Sequence, residues 1–322
     1  MKKILILRLS SLGDIILTEP IVRELANSYP DAQIDYLTKD LYLPLVSTFG
    51  KLNKVYPWKD KIKILKQLRT INYDIIIDLH AKFNTFIIKR YLNASKIVTY
   101  NKKHLHRWLI TKKNSKKPII STVSLYYSAL EKIGVKRTIG DPKLTPVVKK
   151  DFFKETSDLK IGIFPGALHK TKQYPLDSFS KLISKTPPSW SCKYFILGSK
   201  SEKKLANEIK KSHQEITNLC GKFNIVELIS VIDQLDLVIT NDSGPMHIAA
   251  ALSIPQIAIF GSTHPVLGFS PSNKKATILS ANLSCQPCSL HGFSSCPKKH
   301  FQCMNDISPE TILHEIEVIL FK

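Results

Sequence analysis

Short apolar runs recur along the 322-residue chain, and they alternate with longer segments whose apolar residues follow a helical period. Runs of three to seven residues that are largely apolar are typical of strands buried on both faces of a parallel sheet. In the first half, the pattern predicts strands at residues 3–9, 34–38, 74–79 and 96–99. In the second half, it predicts strands at residues 160–164, 193–197, 218–220, 237–240, 256–260 and 276–279.

Helices are predicted between these strands, beginning with an amphipathic helix at residues 14–28. The alternation lapses near residues 141–158, which are rich in Pro, Lys and Asp and are typical of a linker. We therefore predict an α/β protein with two doubly wound domains, at residues 1–150 and 151–322. Ser308 is the predicted N-cap of a last helix, 308–321, which is also a candidate to pack back on the first domain.

The stretch DLVITNDSGPMHIAAAL, residues 236–252, predicts a buried strand, a tight loop and a helix that begins near Pro245. A helix N-terminus exposes unpaired N–H groups with partial positive charge, so it suits a phosphate. An ordinary strand–loop–helix connection is the alternative. Polar residues across the cap favour a binding site over that alternative, and they are Asp242, Ser243, Gly244 and His247.

A second candidate loop follows the first strand, in the sequence RLSSLGDIILTEP. Ser10, Ser11, Gly13 and Asp14 lie there, at the carboxyl edge where open α/β sheets bind ligands. Asp14 is a candidate catalytic carboxylate, although a carboxylate in the first turn of a helix also serves simply as a cap. The chain lacks a GxGxxG sequence, so the dinucleotide fingerprint is absent.

The formal net charge of +21 is unevenly distributed. Residues 1–160 hold 31 basic and 14 acidic side chains, whereas the remainder holds 16 and 12. Residues 79–130 hold 11 basic residues and no acidic one, which predicts an anionic partner for the first domain. Lys102, Lys103 and Arg107 are our candidates for that surface. The chain has no known nucleic-acid-binding motif, and it has neither a signal peptide nor a membrane-spanning run, so a cytoplasmic protein is expected.

Four cysteines lie close together near the C-terminus: Cys285, Cys288, Cys296 and Cys303. Their CxxC spacing is compatible with a structural zinc site. Their unequal spacing favours no metal, and disulfides are disfavoured in a reducing cytoplasm. Cys192 and Cys220 are predicted to be small core residues.

The chain resembles glycosyltransferase family 9, the lipopolysaccharide heptosyltransferases. The resemblance rests on RLSSLGDIILTEP, NDSGPMHIAAAL and IAIFGSTHP, in the family's order along the chain. It implies a GT-B-like fold, in which two facing Rossmann-like domains enclose a cleft. The N-terminal domain would bind the acceptor and the C-terminal domain the nucleotide-sugar donor. A cysteine-rich stretch is common in the family without a known catalytic duty.

The resemblance also implies residue roles. Asp14 matches the general base, Lys172 the donor-site lysine and Glu202 the ribose ligand. Phe223 lies where the family's backbone touches adenine, whereas Asp242, Ser243 and Gly244 take the sugar and pyrophosphate, and His247 completes their loop. Two departures bear on donor and acceptor choice. Ala167 and Leu168 replace hydroxyl residues, which leaves phosphate contacts to the backbone or to Thr171, and Leu17 replaces a histidine.

The resulting hypothesis is an inverting transfer of heptose from ADP-heptose to the lipopolysaccharide inner core, without a cofactor. The expected partners are the nucleotide sugar, an anionic lipid-linked saccharide and the surface of the inner membrane. The enzyme would associate with that surface as a peripheral protein. A family-like transferase with another nucleotide sugar is one alternative. A basic protein that binds nucleotides or nucleic acid without catalysis is another.

Overall fold

The computed structural model describes residues 1–113, 118–154 and 156–322, and it divides the chain into two compact units. The first unit comprises Met1–His104 and Ser121–Thr145, and the second comprises Leu105–Ile120 and Pro146–Lys322. The change of unit at Thr145 lies five residues before the predicted boundary. Residues 105–120 were predicted in the first domain, so their place in the second unit is a correction.

The first unit is built on a parallel sheet with strand order β3-β2-β1-β4-β5. Its strands are β1 (Lys3–Leu7), β2 (Gln33–Thr38), β3 (Lys54–Pro57), β4 (Tyr73–Asp78) and β5 (Ala94–Thr99). The helices of this part of the chain are α1 (Leu12–Ile16), α2 (Glu19–Ser28), α3 (Leu43–Val46), α4 (Lys61–Arg69), α5 (Phe83–Tyr91), α6 (His104–Lys113) and α7 (Thr122–Glu131).

The second unit has a parallel sheet with strand order β11-β10-β9-β6-β7-β8. Its strands are β6 (Leu159–Phe164), β7 (Cys192–Ile196), β8 (Thr217–Asn218), β9 (Leu237–Asn241), β10 (Gln256–Phe260) and β11 (Ala276–Ser280). Its remaining helices are α8 (Leu176–Ser184), α9 (Lys203–Ser212), α10 (Ile225–Ile232), α11 (Gly244–Ala251), α12 (Gln302–Asn305) and α13 (Pro309–Phe321). The prediction of two doubly wound α/β sheets is therefore confirmed.

The predicted helix at residues 14–28 is two helices, α1 and α2, which meet near Pro20. Proline has no N–H to donate and its ring crowds the preceding turn, so Pro20 starts a new helix instead of continuing the first. Strand β3 was not predicted, because its four residues, KVYP, end in proline and are only partly buried.

Residues 105–120 are tied to the second unit by specific contacts. The Ile119 N–H donates to the Val266 carbonyl oxygen at 2.9 Å, and the guanidinium of Arg107 lies over the Phe269 ring at 5.1 Å. Gly268, with a φ of +81°, leaves room for Ile119, whose side chain would lie 2.7 Å from an added Cβ. Arg107 is only 8% exposed, so it does not form part of the solvated basic surface predicted above.

The last helix begins as predicted, with Ser308 accepting a hydrogen bond from the Thr311 N–H at 3.2 Å. Its buried residues, Ile312 and Ile316, belong to the core of the second unit, and the helix packs against α8 and β10. It is thus part of the second unit's own core.

Both sheets reverse their strand order beside their first strand, between β1 and β4 and between β6 and β9. At such a switch point, the connections leave the carboxyl edge in opposite directions and open a crevice for ligands. The loops after β1 and β9 carry Asp14 and Asp242, and the loop after β6 carries Lys172. The fold therefore positions these three side chains where each sheet can bind a ligand.

Candidate active site

Asp14, in the first turn of α1, is held by a buried arginine at the end of β1. Its Oδ2 atom lies 2.6 Å from Arg8 Nη2 and accepts a hydrogen bond from Ser11 Oγ at 2.8 Å. Oδ2 also accepts from the Ser11 N–H at 3.3 Å, so the capping role considered above is real. The side chain is nevertheless 23% exposed, so capping and access to a substrate coexist.

Arg8 is itself fixed from several sides. Its Nε donates to the Ser10 carbonyl at 2.8 Å, and its Nη1 donates to the Leu79 carbonyl at the end of β4. Burial disfavours its charge, but nearby Tyr126 and Asp14 more than offset this and raise the pKa of Arg8. The arginine therefore supplies a fixed positive charge that orients Asp14.

Two further side chains lie close to Arg8 in the first unit. Tyr126, from α7, donates to Asp14 Oδ1 at 3.3 Å and packs edge-on against Tyr100. His80 is buried, and burial together with the positive charges of Arg8 and Lys82 lowers its pKa to about 4. His80 is therefore neutral near pH 7, and the ion pair in this cluster is that of Asp14 with Arg8.

The other loop residues named from the sequence have local roles. Ser10 contributes its carbonyl to Arg8, and Gly13 is buried in the first turn of α1. Leu17, at the position of the family's histidine, is only 6% exposed and belongs to the apolar core. The substitution therefore places a core side chain where a polar contact would otherwise be available.

In the second unit, Lys172 and Asp242 form a nearly buried ion pair. Lys172 Nζ lies 2.8 Å from Asp242 Oδ2, with the two side chains 15% and 9% exposed. Thr263, just after β10, donates to the same oxygen at 2.6 Å. The structure thus brings together loops that follow three neighbouring strands, β6, β9 and β10.

The turn that carries Lys172 is clamped by the cysteine-rich segment. The Thr171 N–H donates to the Phe293 carbonyl, and the Thr171 carbonyl accepts from the Ser262 N–H. The Thr171 hydroxyl accepts from the Phe293 N–H at 2.7 Å. Gly292, with a φ of +105°, permits this approach, because a Cβ there would lie 2.7 Å from His169 Cβ. Thr171 is 2% exposed, so it positions the lysine and does not offer its hydroxyl to a phosphate.

The loop after β9 leads into α11 as predicted. Ser243 is the N-cap, with extended backbone and no side-chain hydrogen bond to the helix, and Gly244 is the first helical residue. The cap therefore leaves the N–H groups of the first turn without a side-chain acceptor from Ser243, which is the arrangement that binds anions. His247 is 6% exposed, one turn into the helix.

Glu202 lies across the ends of β6 and β7. A Cβ at Gly166 would lie 1.4 Å from Glu202 Oε1, and one at Gly198 would lie 2.8 Å from Oε2. Both glycines are therefore needed for the carboxylate to occupy this position. Phe223, after β8, packs edge-on against Phe152 at 5.4 Å between ring centroids, and it is partly exposed.

Ala167 and Leu168 occupy the loop before Lys172. The Ala167 carbonyl accepts from Gln173 Nε2 at 2.8 Å, and the Leu168 side chain is 93% exposed. Neither side chain carries a hydroxyl.

The four clustered cysteines are all free thiols near one another. Burial and the neighbouring Cys285 and Cys296 raise the pKa of Cys288 to about 11, and similar causes raise that of Cys303 to about 12. Within the described residues, no group of three or more His, Cys, Asp or Glu side chains is placed to hold a metal ion. The same segment contacts the Lys172 turn through the hydrogen bonds of Phe293 with Thr171.

Sequence reasoning did not identify Arg8, Tyr126 or Thr263 as site residues. Arg8 and Thr263 carried a usable signal, since Arg8 is a charged residue near the end of the first apolar run and Thr263 lies three residues after the run at 256–260. Tyr126 carried none, because its contact with Asp14 joins residues 112 positions apart.

The metal content of the cysteine cluster is testable directly. We expect protein purified without chelator to contain well below one zinc per chain by atomic emission. A Cys288→Ser/Cys296→Ser variant should contain no less zinc than the parent. Stoichiometric zinc whose removal by a chelator also lowers the Tm would contradict this expectation.

The clamp on Lys172 makes a second prediction. Thr171→Val removes a buried hydroxyl that bonds Ser262 and Phe293, so ADP should bind about fivefold more weakly, equivalent to about 1 kcal/mol. Isothermal titration measures the affinity. Thr277→Val, on β11 and away from this turn, is the matched control and should bind ADP as the parent does. Equal affinities for both variants would show that the clamp does not position the lysine.

Comparison with known proteins identifies the family of the chain. The family described as "Glycosyltransferase family 9 (heptosyltransferase)" matches residues 61–297. The chain is 30% identical to lipooligosaccharide heptosyltransferase 2 of Campylobacter jejuni over 95% of each chain.

Two solved structures have the same GT-B-like fold. Escherichia coli ADP-heptose lps heptosyltransferase II gives a TM-score of 0.77 at 23% identity and covers 99% of this chain and 98% of its own. A family 9 glycosyl transferase from Veillonella parvula gives 0.81 at 19% identity, with 99% and 97% covered. The chain therefore belongs to glycosyltransferase family 9, and it is a glycosyltransferase with a GT-B-like fold.

Proposed function

We propose that this enzyme transfers heptose from ADP-heptose to the anionic, lipid-linked inner core of lipopolysaccharide, with inversion at the anomeric carbon. One observation carries the proposal. A partly exposed carboxylate lies at the switch point of the first sheet, and a lysine beside a helix N-terminus lies at the switch point of the second. The names of the relatives, which are heptosyltransferases, support heptose as the transferred sugar.

On the acceptor side, Asp14 is proposed as the general base. Its carboxylate would accept the proton of the acceptor hydroxyl as the oxygen attacks the anomeric carbon through an oxocarbenium-like transition state. Arg8 and Ser11 hold the carboxylate in one orientation, which is what a positioned base requires. A single direct displacement of this kind inverts the anomeric configuration.

On the donor side, negative charge develops on the departing ADP. Lys172 and the N–H groups at the start of α11 are proposed to stabilise it, since both provide positive potential in a largely buried setting. Asp242 and Ser243 are proposed to contact the sugar and pyrophosphate, and His247 to complete their loop. Glu202 is proposed to bind the ribose hydroxyls, and the backbone near Phe223 the adenine.

A family 9 transferase that uses another nucleotide sugar is the remaining alternative. The altered positions Ala167, Leu168 and Leu17 bear on donor and acceptor choice, but they do not alter the roles proposed for Asp14 and Lys172. Turnover of a panel of nucleotide sugars on a defined lipid A–inner core acceptor tests the proposal. Turnover with ADP-heptose supports it, and selective turnover with a different nucleotide sugar replaces the donor named here.

The proposed location is the cytoplasm, with peripheral association at the inner membrane. No helix in the described part of the chain is long and apolar enough to cross a membrane. The basic surface predicted from the sequence is retained in reduced form. Lys96 and Lys103 are exposed in the first unit, whereas Lys102 is partly buried and donates to the Ala81 carbonyl at 2.6 Å.

The general base makes the first kinetic prediction. Asp14→Asn should lower kcat by roughly 10²–10⁴-fold, the usual contribution of a positioned base, and should leave donor affinity nearly unchanged. Steady-state kinetics and an ADP titration separate the two effects. Asp31→Asn, at an exposed position, is the control. Near-normal turnover of Asp14→Asn would show that Asp14 serves only as a helix cap.

The proposed donor site generates a prediction about nucleotide affinity. Lys172→Ala should weaken ADP binding by about tenfold or more, because a nearly buried cation then no longer faces the diphosphate. Asp242→Ala should weaken binding of the nucleotide sugar. Lys170→Ala, an exposed residue of the same turn, serves as the control in calorimetry. Unchanged ADP affinity in Lys172→Ala would remove this lysine from the pyrophosphate site.

The negative charge of the proposed acceptor generates a prediction about salt dependence. The KM for the acceptor should rise between low and moderate salt, because the Debye length shortens to about 8–10 Å at physiological ionic strength. The KM for the donor should change much less. Lys96→Gln/Lys103→Gln should flatten the salt dependence, whereas Lys181→Gln/Lys204→Gln, exposed in the second unit, should not. A salt-insensitive acceptor KM would contradict electrostatic recruitment.

A further inference from the structure

Helix α5 presents a row of apolar side chains to solvent. Phe83, Phe86 and Ile87 are 75%, 57% and 47% exposed. They are spaced i, i+3 and i+4, so they lie on one side of the helix. Thr85 and Ile88, both 0% exposed, fix the opposite side in the first unit. The helix thus has a buried side, and its large apolar side chains extend outward from the other.

Isolated apolar residues are common on protein surfaces, but adjacent large ones mark an interaction site. Three such residues within five positions of one helix form a contiguous patch. We call Phe83, Phe86 and Ile87 the apolar row of α5.

Cations surround the apolar row. Lys82 precedes it, and Arg90, spaced i+7 from Phe83, continues the same side of the helix; both are exposed. The guanidinium of Arg69, at the end of α4, lies over the Tyr91 ring at 4.8 Å. Helix α4 packs against α5 and also exposes basic side chains, at Lys61, Lys63 and Lys66.

Acidic residues near the apolar row are few and already engaged. The only acidic residues between residues 61 and 130 of the sequence are Asp74 and Asp78. Asp78 is fully buried and pairs with Lys89 at 2.7 Å. Asp74 accepts from the Lys3 N–H at 2.7 Å, at the amino end of the sheet. The surface around α5 is therefore apolar at its centre and positive at its rim.

We propose that α5 docks this enzyme on an anionic lipid bilayer by inserting Phe83, Phe86 and Ile87 into the interfacial region while Lys82, Arg69 and Arg90 contact headgroups. Aromatic and aliphatic side chains with a basic rim are the composition of helices that lie in the membrane interface. Anionic headgroups attract the basic side chains within a Debye length. Lys82, Arg69 and Arg90 supply positive charge that complements an anionic lipid surface.

The position of α5 relates this docking to catalysis. It begins five residues after β4, at the carboxyl edge of the sheet that also carries Asp14 on the adjacent loop after β1. Docking through α5 would bring that edge to the plane from which a lipid-linked acceptor is presented. The docking deepens the peripheral membrane association proposed above, and this last step also rests on the proposed heptosyl transfer.

Cosedimentation of the full chain with protein-free vesicles tests the docking. Wild type should bind vesicles of phosphatidylethanolamine with phosphatidylglycerol better than vesicles of phosphatidylcholine. Phe83→Ser/Phe86→Ser/Ile87→Ser should lose about tenfold or more in partition coefficient, since binding scales with the apolar area inserted. The control, Val147→Ser/Ile278→Ser/Val318→Ser, changes three exposed apolar residues of the second unit and should bind as wild type.

The charged rim has its own variant. Lys82→Gln/Arg90→Gln should weaken binding to anionic vesicles at low salt and have little effect on the residual binding to phosphatidylcholine. Circular dichroism and the Tm check that each variant is folded. The proposal is overturned if wild type does not bind protein-free vesicles. That result is also the one expected if the apolar row binds a protein partner instead. It is also overturned if the apolar-row variant and its control bind equally.

Activity separates this inference from the proposed function. The apolar-row variant should turn over a deacylated, water-soluble core acceptor like wild type and should lose activity on the acylated acceptor in vesicles. Equal losses on both acceptors would contradict a membrane role for the row. Absence of heptosyl transfer by wild type on either acceptor would contradict the proposed function and leave the vesicle-binding result standing.

Discussion

The central strands of both sheets are largely buried, and this burial decides where polar side chains lie. Strands β9 and β10 are buried along their whole length, and β1 is buried from Ile4 onward. A buried parallel strand has little room for an ionised side chain, because desolvating a charge is costly. Polar side chains therefore collect on the loops at the carboxyl edges, and the switch points bring pairs of these loops together. The candidate site follows from that constraint.

Each unit pairs its candidate carboxylate with one cation, and the two pairs differ in a way that fits their proposed tasks. Arg8 is buried and fixed by the Ser10 and Leu79 carbonyls, so it holds Asp14 at the surface. Lys172 and Asp242 are both nearly buried. Desolvation offsets much of the attraction in a buried ion pair, so such a pair contributes little to stability. We interpret it as a preorganised cation that a diphosphate can engage.

The strand positions were largely predictable because buried parallel strands are continuous apolar runs; residues 256–260 were predicted to the residue. Asp14 and Asp242 were identified because they lie in polar segments that follow such runs, whereas Lys172 was identified only through the resemblance to glycosyltransferase family 9. Residues 14–28 were predicted as one helix but form parts of two, because Pro20 lacks the N–H that would continue the first helix. Residues 105–120 follow the first unit in sequence, yet contacts from Ile119 and Arg107 place them in the second, and no local pattern reveals this. The Tyr126–Asp14 contact was hidden for the same reason.

The stereochemical course of the transfer is the most direct test of a single displacement driven by a positioned carboxylate. Proton and carbon NMR of the isolated product gives the anomeric configuration of the newly formed linkage relative to that of the donor. A single attack by a hydroxyl deprotonated at Asp14 predicts a product of the opposite configuration. A product that retains the donor's configuration would require two displacements or attack from the leaving-group side, and it would contradict the role proposed for Asp14.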